Sequence, residues 1–328
     1  PDPVHTVAIT TGLVVMAGVG LLLLDSEWRL GIIVSAIAAI IGLSVVVLTG
    51  LVGQISLLTY ALSGIAAFGM VRATEELGLG FPFGAVLGVA AAVVIGTLIG
   101  LPAIRVRGLT LAVASLAAAV AVEELVFKWS WFSGGLNGSR AESPTFFGLD
   151  LGISAAGTAY PREAFGMLVL VALLLAMILV VNLRRSATGR QWLAVRANER
   201  AAEAIGISAT RVKLTANAVA AFLAGTAGAL LAYQVQTVSA DSFGALESLV
   251  ALAIGYLAGI AVPAGALLAG VLAAGGILTV VLDQVSDGAS DYQFAMNGLM
   301  LIIVAVWFPA GILGSVGRIG RAVTRDRA

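Results

Sequence analysis

Residues 164–183 read AFGMLVLVALLLAMILVVNL, twenty positions without a single Lys, Arg, Asp or Glu, and Arg184 and Arg185 follow at once. Crossing a hydrocarbon core takes about 20 apolar residues of helix, so this run reads as a transmembrane helix with a basic stop. Nine further apolar runs stand on either side of it, at 4–24, 30–49, 54–72, 82–101, 109–128, 211–233, 246–260, 263–282 and 293–312. The expected fold is an all-α integral membrane protein. It is a polytopic helical bundle of about 8–10 transmembrane helices, a single transmembrane domain over 1–328. The third and eighth runs are short and interrupted by glycine, so one segment is expected to be glycine-broken or re-entrant.

Composition points the same way. The chain is 60% hydrophobic and 11% charged, against roughly 45–50% and 25% in soluble domains. Its forty glycines lie inside apolar runs, where small residues let helix backbones approach closely. Net charge is zero, so no basic field suggests nucleic acid. There are no cysteines, and the one histidine, His5, offers no material for a histidine-rich metal site. Residues 4–24 have no basic segment before them and no small-residue cleavage site after them, so they read as a span rather than a signal peptide. With Pro1 in first place, the chain is read as a segment of a longer product or one trimmed at its terminus.

The basic residues set an expected orientation. Arg184, Arg185, Arg190, Arg196, Arg200, Arg211 and Lys213 crowd the 184–213 segment, Arg105 and Arg107 mark a second turn, and Arg318, Arg321, Arg325 and Arg327 mark the C-terminus. By the positive-inside rule these face the cytoplasm. With ten spans both termini are then cytoplasmic. Asp241, Asp283, Asp287 and Asp291 fall on the other side with the long 129–163 loop, and Trp129, Trp131 and Phe132 read as an outer aromatic belt.

Within 184–213, Asn198 is placed to cap a short helix over Glu199, Arg200, Ala201, Ala202, Glu203, Ala204 and Ile205, with Gly206 in the left-handed position that ends it. Such a helix suits docking into a partner's groove; a solvated loop that only fixes topology has the same composition, and the residues alone leave both open. In the third run Ser56, Thr59, Tyr60 and Ser63 are spaced to share one helix face, with Gln54 at its start beside Gly50 and Gly53. Transporter sites occur where glycines break a helix, and this stripe is read as a substrate pathway in preference to ordinary hydroxyl back-bonding. Glu124 and Lys128, four residues apart, read as a structural ion pair beside Glu123. Glu247, at the start of the eighth run, reads equally as a vestibule or a helix-start residue. Gly255 and Gly259 read as helix packing or, with Pro263 and Gly265, as the hinge of a broken helix.

Four stretches together resemble one known family. Gly189 to Ile207 (GRQWLAVRANERAAEAIGI) is similar to the cytoplasmic loop of ABC importer permeases, and most of all to branched-chain amino-acid (or urea/amide) permeases. Gly53-Gln54-Ile55-Ser56-Leu57 resembles that family's Gly-Gln-(Leu/Ile)-Ser-Leu segment. Ser133-Gly134-Gly135-Leu136-Asn137-Gly138 resembles its Gly-Gly-x-Asn-Gly external loop, and Phe308-Pro309-Ala310-Gly311-Ile312-Leu313-Gly314 its C-terminal end. Two departures stand out. Leu58-Thr59 replaces the usual Gly-His, and Arg200 takes the Glu place of the Glu-Ala-Ala-x-x-x-Gly loop pattern, with Glu199 one residue early.

The resemblance implies a non-enzymatic permease subunit of the cytoplasmic membrane. It would pair with a second permease subunit, a homologue or the same chain. Two ABC ATPase subunits or fused domains would power it, an external solute-binding protein would feed it, and lipid would surround it. Residues Glu199, Arg200, Ala201, Ala202, Glu203 and Gly206 would form the coupling helix. Gly134, Gly135, Asn137 and Gly138 would form the external loop. The chain has no G-x-x-x-x-G-K-[ST] phosphate loop, so no cofactor is expected in it and ATP would be bound by the partners. The expected cargo is a small polar solute, branched-chain or other amino acids first, with sugar or urea/amide as alternatives. An ion-coupled secondary transporter is a rival of another class, disfavoured because no carboxylate lies deep in a span. An intramembrane enzyme lacks the His or paired-Asp chemistry it needs.

Overall fold

The computed structural model describes residues 3–103, 108–135, 138–146, 148–154, 160–285, 288, 292–307 and 312. The long helices are α1 (Pro3–Leu23), α2 (Ser26–Val45), α3 (Thr59–Leu77), α4 (Phe83–Ala103) and α5 (Leu109–Val122). A short α6 (Ser130–Ser133) precedes α7 (Glu163–Arg185), and α8 (Ala187–Ala197) and α9 (Glu199–Ala204) form the basic segment. Then come α10 (Ala209–Val235), α11 (Ala245–Ala258), α12 (Pro263–Leu272), α13 (Ile277–Val285) and α14 (Gln293–Trp307). Among the described residues seven helical stretches are long and apolar enough to cross a membrane, and α1 and α14 carry shorter apolar runs. This is a polytopic all-α membrane protein. Its only described strands are two-residue pairs, β1 (Ser139–Arg140) with β4 (Thr237–Val238) and β2 (Thr145–Phe146) with β3 (Leu149–Asp150).

Every expected run holds a helix, but three boundaries differ. α2 does not stop near 49; it continues as π-helical turns over Val46–Val52 and ends at Gly53, whose φ of 79° only glycine adopts freely. The third run does not start helical at 54: residues 53–58 are non-helical and α3 begins at Thr59. The ninth is split between Leu272 and Ile277, where Gly275 has φ 75°. Irregular backbone in a membrane protein is tolerated where the protein supplies partners, and two such partners are present here. The Thr49 hydroxyl donates to the Gln54 carbonyl at 3.1 Å, and Ser115 Oγ accepts the Leu57 N–H at 3.0 Å.

The centre of the bundle is built on small-residue contacts. A Cβ on Gly88 would overlap the Ala66 carbonyl, and one on Gly228 the Ser63 carbonyl. Backbone therefore touches backbone between α3 and each of α4 and α10. α2 and α12 meet in the same way, Gly270 against the Ser35 carbonyl and Gly42 against Ala266. Gly255 packs on Val45, while Gly259, at φ 114°, ends α11. The G-x-x-x-G step thus supplies one packing contact and one helix end. Phe68, Phe127 and Phe243, with ring centroids 5.4–6.5 Å apart, close the core at the end of the bundle opposite the basic segment.

Candidate functional site

The basic segment is ordered from within. The Ser186 hydroxyl caps α8 by accepting the Gly189 N–H, and Asn198, at φ −160°, accepts the Ala201 N–H at 3.1 Å to cap α9. Gly206, at φ 86° with open space where a Cβ would point, ends the helix, and the Ile207 N–H reaches back to the Ala202 carbonyl at 3.0 Å. Only Ala202 of α9 is buried. Arg200, Ala201, Glu203 and Ala204 face out, and Ile205 beyond them is 75% exposed. The outer face of this short helix therefore mixes two charged residues, two alanines and one projecting apolar side chain.

Two contacts tie that helix to the bundle. Glu199 turns inward and accepts a hydrogen bond at 2.8 Å from Lys213 Nζ on α10, whose side chain is almost wholly buried. Just before α9, Arg196 donates from Nη1 to the Gly50 carbonyl, while its methylenes lie against Gly53. The segment therefore grips the π-helical break of α2 on one side and the first turns of α10 on the other.

The pathway residues do not form a single stripe. Ser56 lies before α3 begins, so it is not on the helix face that its spacing suggested. Gln54 and Ser56 line a cavity of about 160 Å³ with Ser115, Lys213 and Asn217, against an aliphatic remainder that includes Leu48, Ile99 and Ala118. Tyr60 lines a second cavity, of about 190 Å³, with Gln234 and Glu247. Ser63 is fully buried, its hydroxyl placed against the Thr59 carbonyl at 3.0 Å and the Ala224 carbonyl at 2.8 Å, so it joins α3 to α10. Thr59 is buried and lines neither cavity. The helix break is where expected, but it distributes the polar groups between two cavities.

In the 129–163 loop the Gly-Gly-x-Asn-Gly stretch is shaped by backbone needs. Gly134, Gly135 and Gly138 have φ of 79°, 65° and 68°, and a Cβ on Gly138 would press on the Val238 carbonyl of β4 at 2.6 Å. Asn137 lies outside the described residues, as do Arg105, Arg107, Asp287, Asp291, Phe308–Gly311, Leu313, Gly314 and the C-terminal arginines. Arg72 holds the loop through the Phe132 carbonyl at 3.2 Å and Ser139 Oγ at 3.3 Å. Trp129 and Trp131 are exposed, but Phe132 instead packs on Phe68, 5.8 Å between centroids. The expected Glu124–Lys128 pair forms at 2.7 Å. Glu123 accepts the Ala245 N–H at 3.2 Å, at the start of α11. Among the described residues no three of His, Cys, Asp or Glu gather to hold a metal ion.

Comparison with known proteins fits this geometry. Residues 29–305 match the family described as "Branched-chain amino acid transport system / permease component". The chain belongs to this permease family. It is 34% identical over 294 residues to the high-affinity branched-chain amino acid transport system permease protein LivM of Salmonella typhimurium, covering 84% of this chain and 67% of that protein. The LivM protein of Escherichia coli K12 gives the same identity and coverage. No solved structure matches.

Several residues of this permease escaped the sequence reading. Gln234 closes α10 as an ordinary helix-end residue, and only the fold brings it beside Tyr60 and Glu247. Asn217, whose Nδ2 donates to the Gly96 carbonyl at 3.2 Å, lies mid-run in an Ala-rich stretch. Lys213 counts as one more topology residue until its burial is seen. Its one sequence signal was its place inside the 211–233 run, where an ionisable residue suggests a function.

Proposed function

We infer that the chain is the permease subunit of an ABC importer that carries branched-chain or other small amino acids across the cytoplasmic membrane. The observation that carries this reading is the α8–α9 segment: α9 is a capped helix, outward-facing over most of its length and tied by Glu199–Lys213 to α10, while Arg196 at the end of α8 is tied to Gly50, and both anchor helices line a cavity. Separate ATPase subunits would dock on α9, and their closure would reach Gln54 and Ser56 through the α2 break. The basic segment would then be cytoplasmic and the Arg72-held loop external, where a solute-binding protein delivers cargo. A second permease subunit would complete the translocation route. The branched-chain cargo is carried over from the named relatives at 34% identity, and an aliphatic-walled cavity with few polar groups suits it.

The test is affinity purification of the tagged chain from its membrane, followed by uptake into proteoliposomes. An ATPase pair should copurify, and leucine uptake should need ATP and survive collapse of the proton and sodium gradients. Uptake that follows an ion gradient, with no ATPase bound, would assign the chain to secondary transport.

A further inference from the structure

The cavity shared by Tyr60, Gln234 and Glu247 is walled by α2, α3, α10, α11 and α12, toward the end of the bundle away from the basic segment. At about 190 Å³ it far exceeds the roughly 10–15 Å³ that a single water needs. Most of its wall is aliphatic, with Ile37 and Ile41 on one side and Ala251, Ala269, Ala273 and Ala274 opposite. Three groups break that wall. Glu247 is exposed and stands at the rim. Gln234 carries the one shielded side-chain polar atom, Oε1, that has no hydrogen-bond partner among the described residues. Tyr60 brings a phenol, and its backbone N–H donates to Ser248 Oγ at 3.0 Å, which fixes the turn that carries Glu247 against the start of α3. No Lys or Arg lines the cavity.

A carboxylate and an unpaired amide carbonyl are both acceptors, and acceptors without a cation nearby select a donor-rich positive group. The alanine wall leaves an apolar space next to it. We propose that this cavity binds the ammonium end and aliphatic side chain of the transported solute: Glu247 receives the ammonium, Gln234 Oε1 turns from its shielded position to supply a second acceptor, and the Ala251–Ala269 wall takes the branched chain. The solute's carboxylate, with no partner in the cavity, is left facing out past the rim. Cargo selection would then reside partly in this chain and not only in the protein that delivers the cargo. The proposal rests on the importer reading above.

The test uses the complete importer in proteoliposomes with saturating loaded binding protein, flux being normalised to ATP hydrolysed. Glu247→Gln keeps shape and removes charge at an exposed position; solute moved per ATP should fall about tenfold or more, as expected when a hydrogen bond to a charged group is lost. Ala251→Leu narrows the apolar end. The ratio of leucine to alanine flux within that one preparation should fall roughly fivefold or more, the scale on which a pocket discriminates added methylenes. That ratio does not depend on how much variant assembles. Unchanged solute per ATP in Glu247→Gln, or an unchanged ratio in Ala251→Leu while wild type transports both, overturns the cavity assignment and leaves the importer reading standing. A wild-type complex that moves no aliphatic amino acid overturns the importer reading itself.

Discussion

Glu199 and Lys213 offer a sharp test of how the basic segment is held, because their two removals should be unequal. The Lys213 side chain is 6% exposed and that of Glu199 21%. Glu199→Gln keeps the shape and strands a buried ammonium. Breaking a buried pair this way costs about 3–5 kcal/mol, and partial solvation of Glu199 brings the expected figure to about 2–3 kcal/mol. Lys213→Met removes the buried charge and keeps an unbranched apolar stem. The Glu199 carboxylate it leaves behind can reach water, so a change within about 1 kcal/mol is expected. The double variant should track Lys213→Met. At roughly 2–4 °C per kcal/mol in chains of 150–250 residues, Glu199→Gln should lower the unfolding midpoint by roughly 5–10 °C and Lys213→Met by a few degrees at most. The assay is thermal unfolding of the purified complex at one fixed scan rate, since such unfolding is commonly irreversible. Equal losses in the two single variants, or no loss in Glu199→Gln, would refute the claim that burial of Lys213 makes the pair matter.

Three further outcomes follow from the same geometry. Gly206→Val should cost about 1–3 kcal/mol from φ alone, because open space surrounds it, and should reduce stimulation of the ATPase by loaded binding protein. Gly206→Asn, which tolerates the left-handed region, should retain most of it; equal damage from both would remove φ as the cause. Ser63→Ala should lower stability by about 0.5–1.5 kcal/mol and leave maximal flux unchanged, whereas Tyr60→Phe should lower flux and leave stability nearly unchanged; the reverse pattern would exchange their assigned roles. Glu124→Gln should change neither, since both partners of its ion pair are more than half exposed, and a clear loss of folded protein would contradict that.

Local chemistry was legible in the sequence, and convergence was not. The α9 cap, its glycine end and the Glu124–Lys128 pair each depend on residues within a few positions of one another, and all three are present in the structure. The start of α3 is different. Ser56 fits a helical spacing, but the break that runs from Gly50 to Leu58 is held by Thr49, by Ser115 from α5 and by Arg196 from the basic segment. Two of those three lie at least 58 residues away, beyond any periodicity argument. The Tyr60, Gln234 and Glu247 grouping has the same character: Tyr60 and Glu247 stood out singly in the sequence, but nothing there joined them to each other or to Gln234, which comes from a separate run.

The glycine contacts described above act as keys as well as spacers. At Gly228 and Ser63, or at Gly270 and Ser35, no side chain stands between two backbones that could change rotamer to relieve a shift. Sliding α10 along α3 by a single residue, about 1.5 Å, would carry Gly228 off the Ser63 carbonyl it fits against. The chain is thus divided into two locked blocks, α3 with α4 and α10, and α2 with α12. The facing surfaces of the blocks touch through side chains and through the Ser44 hydroxyl on the Ala220 carbonyl, 2.9 Å. Volume can change along that seam without breaking a glycine contact between the blocks, and the Tyr60–Gln234–Glu247 cavity lies on it.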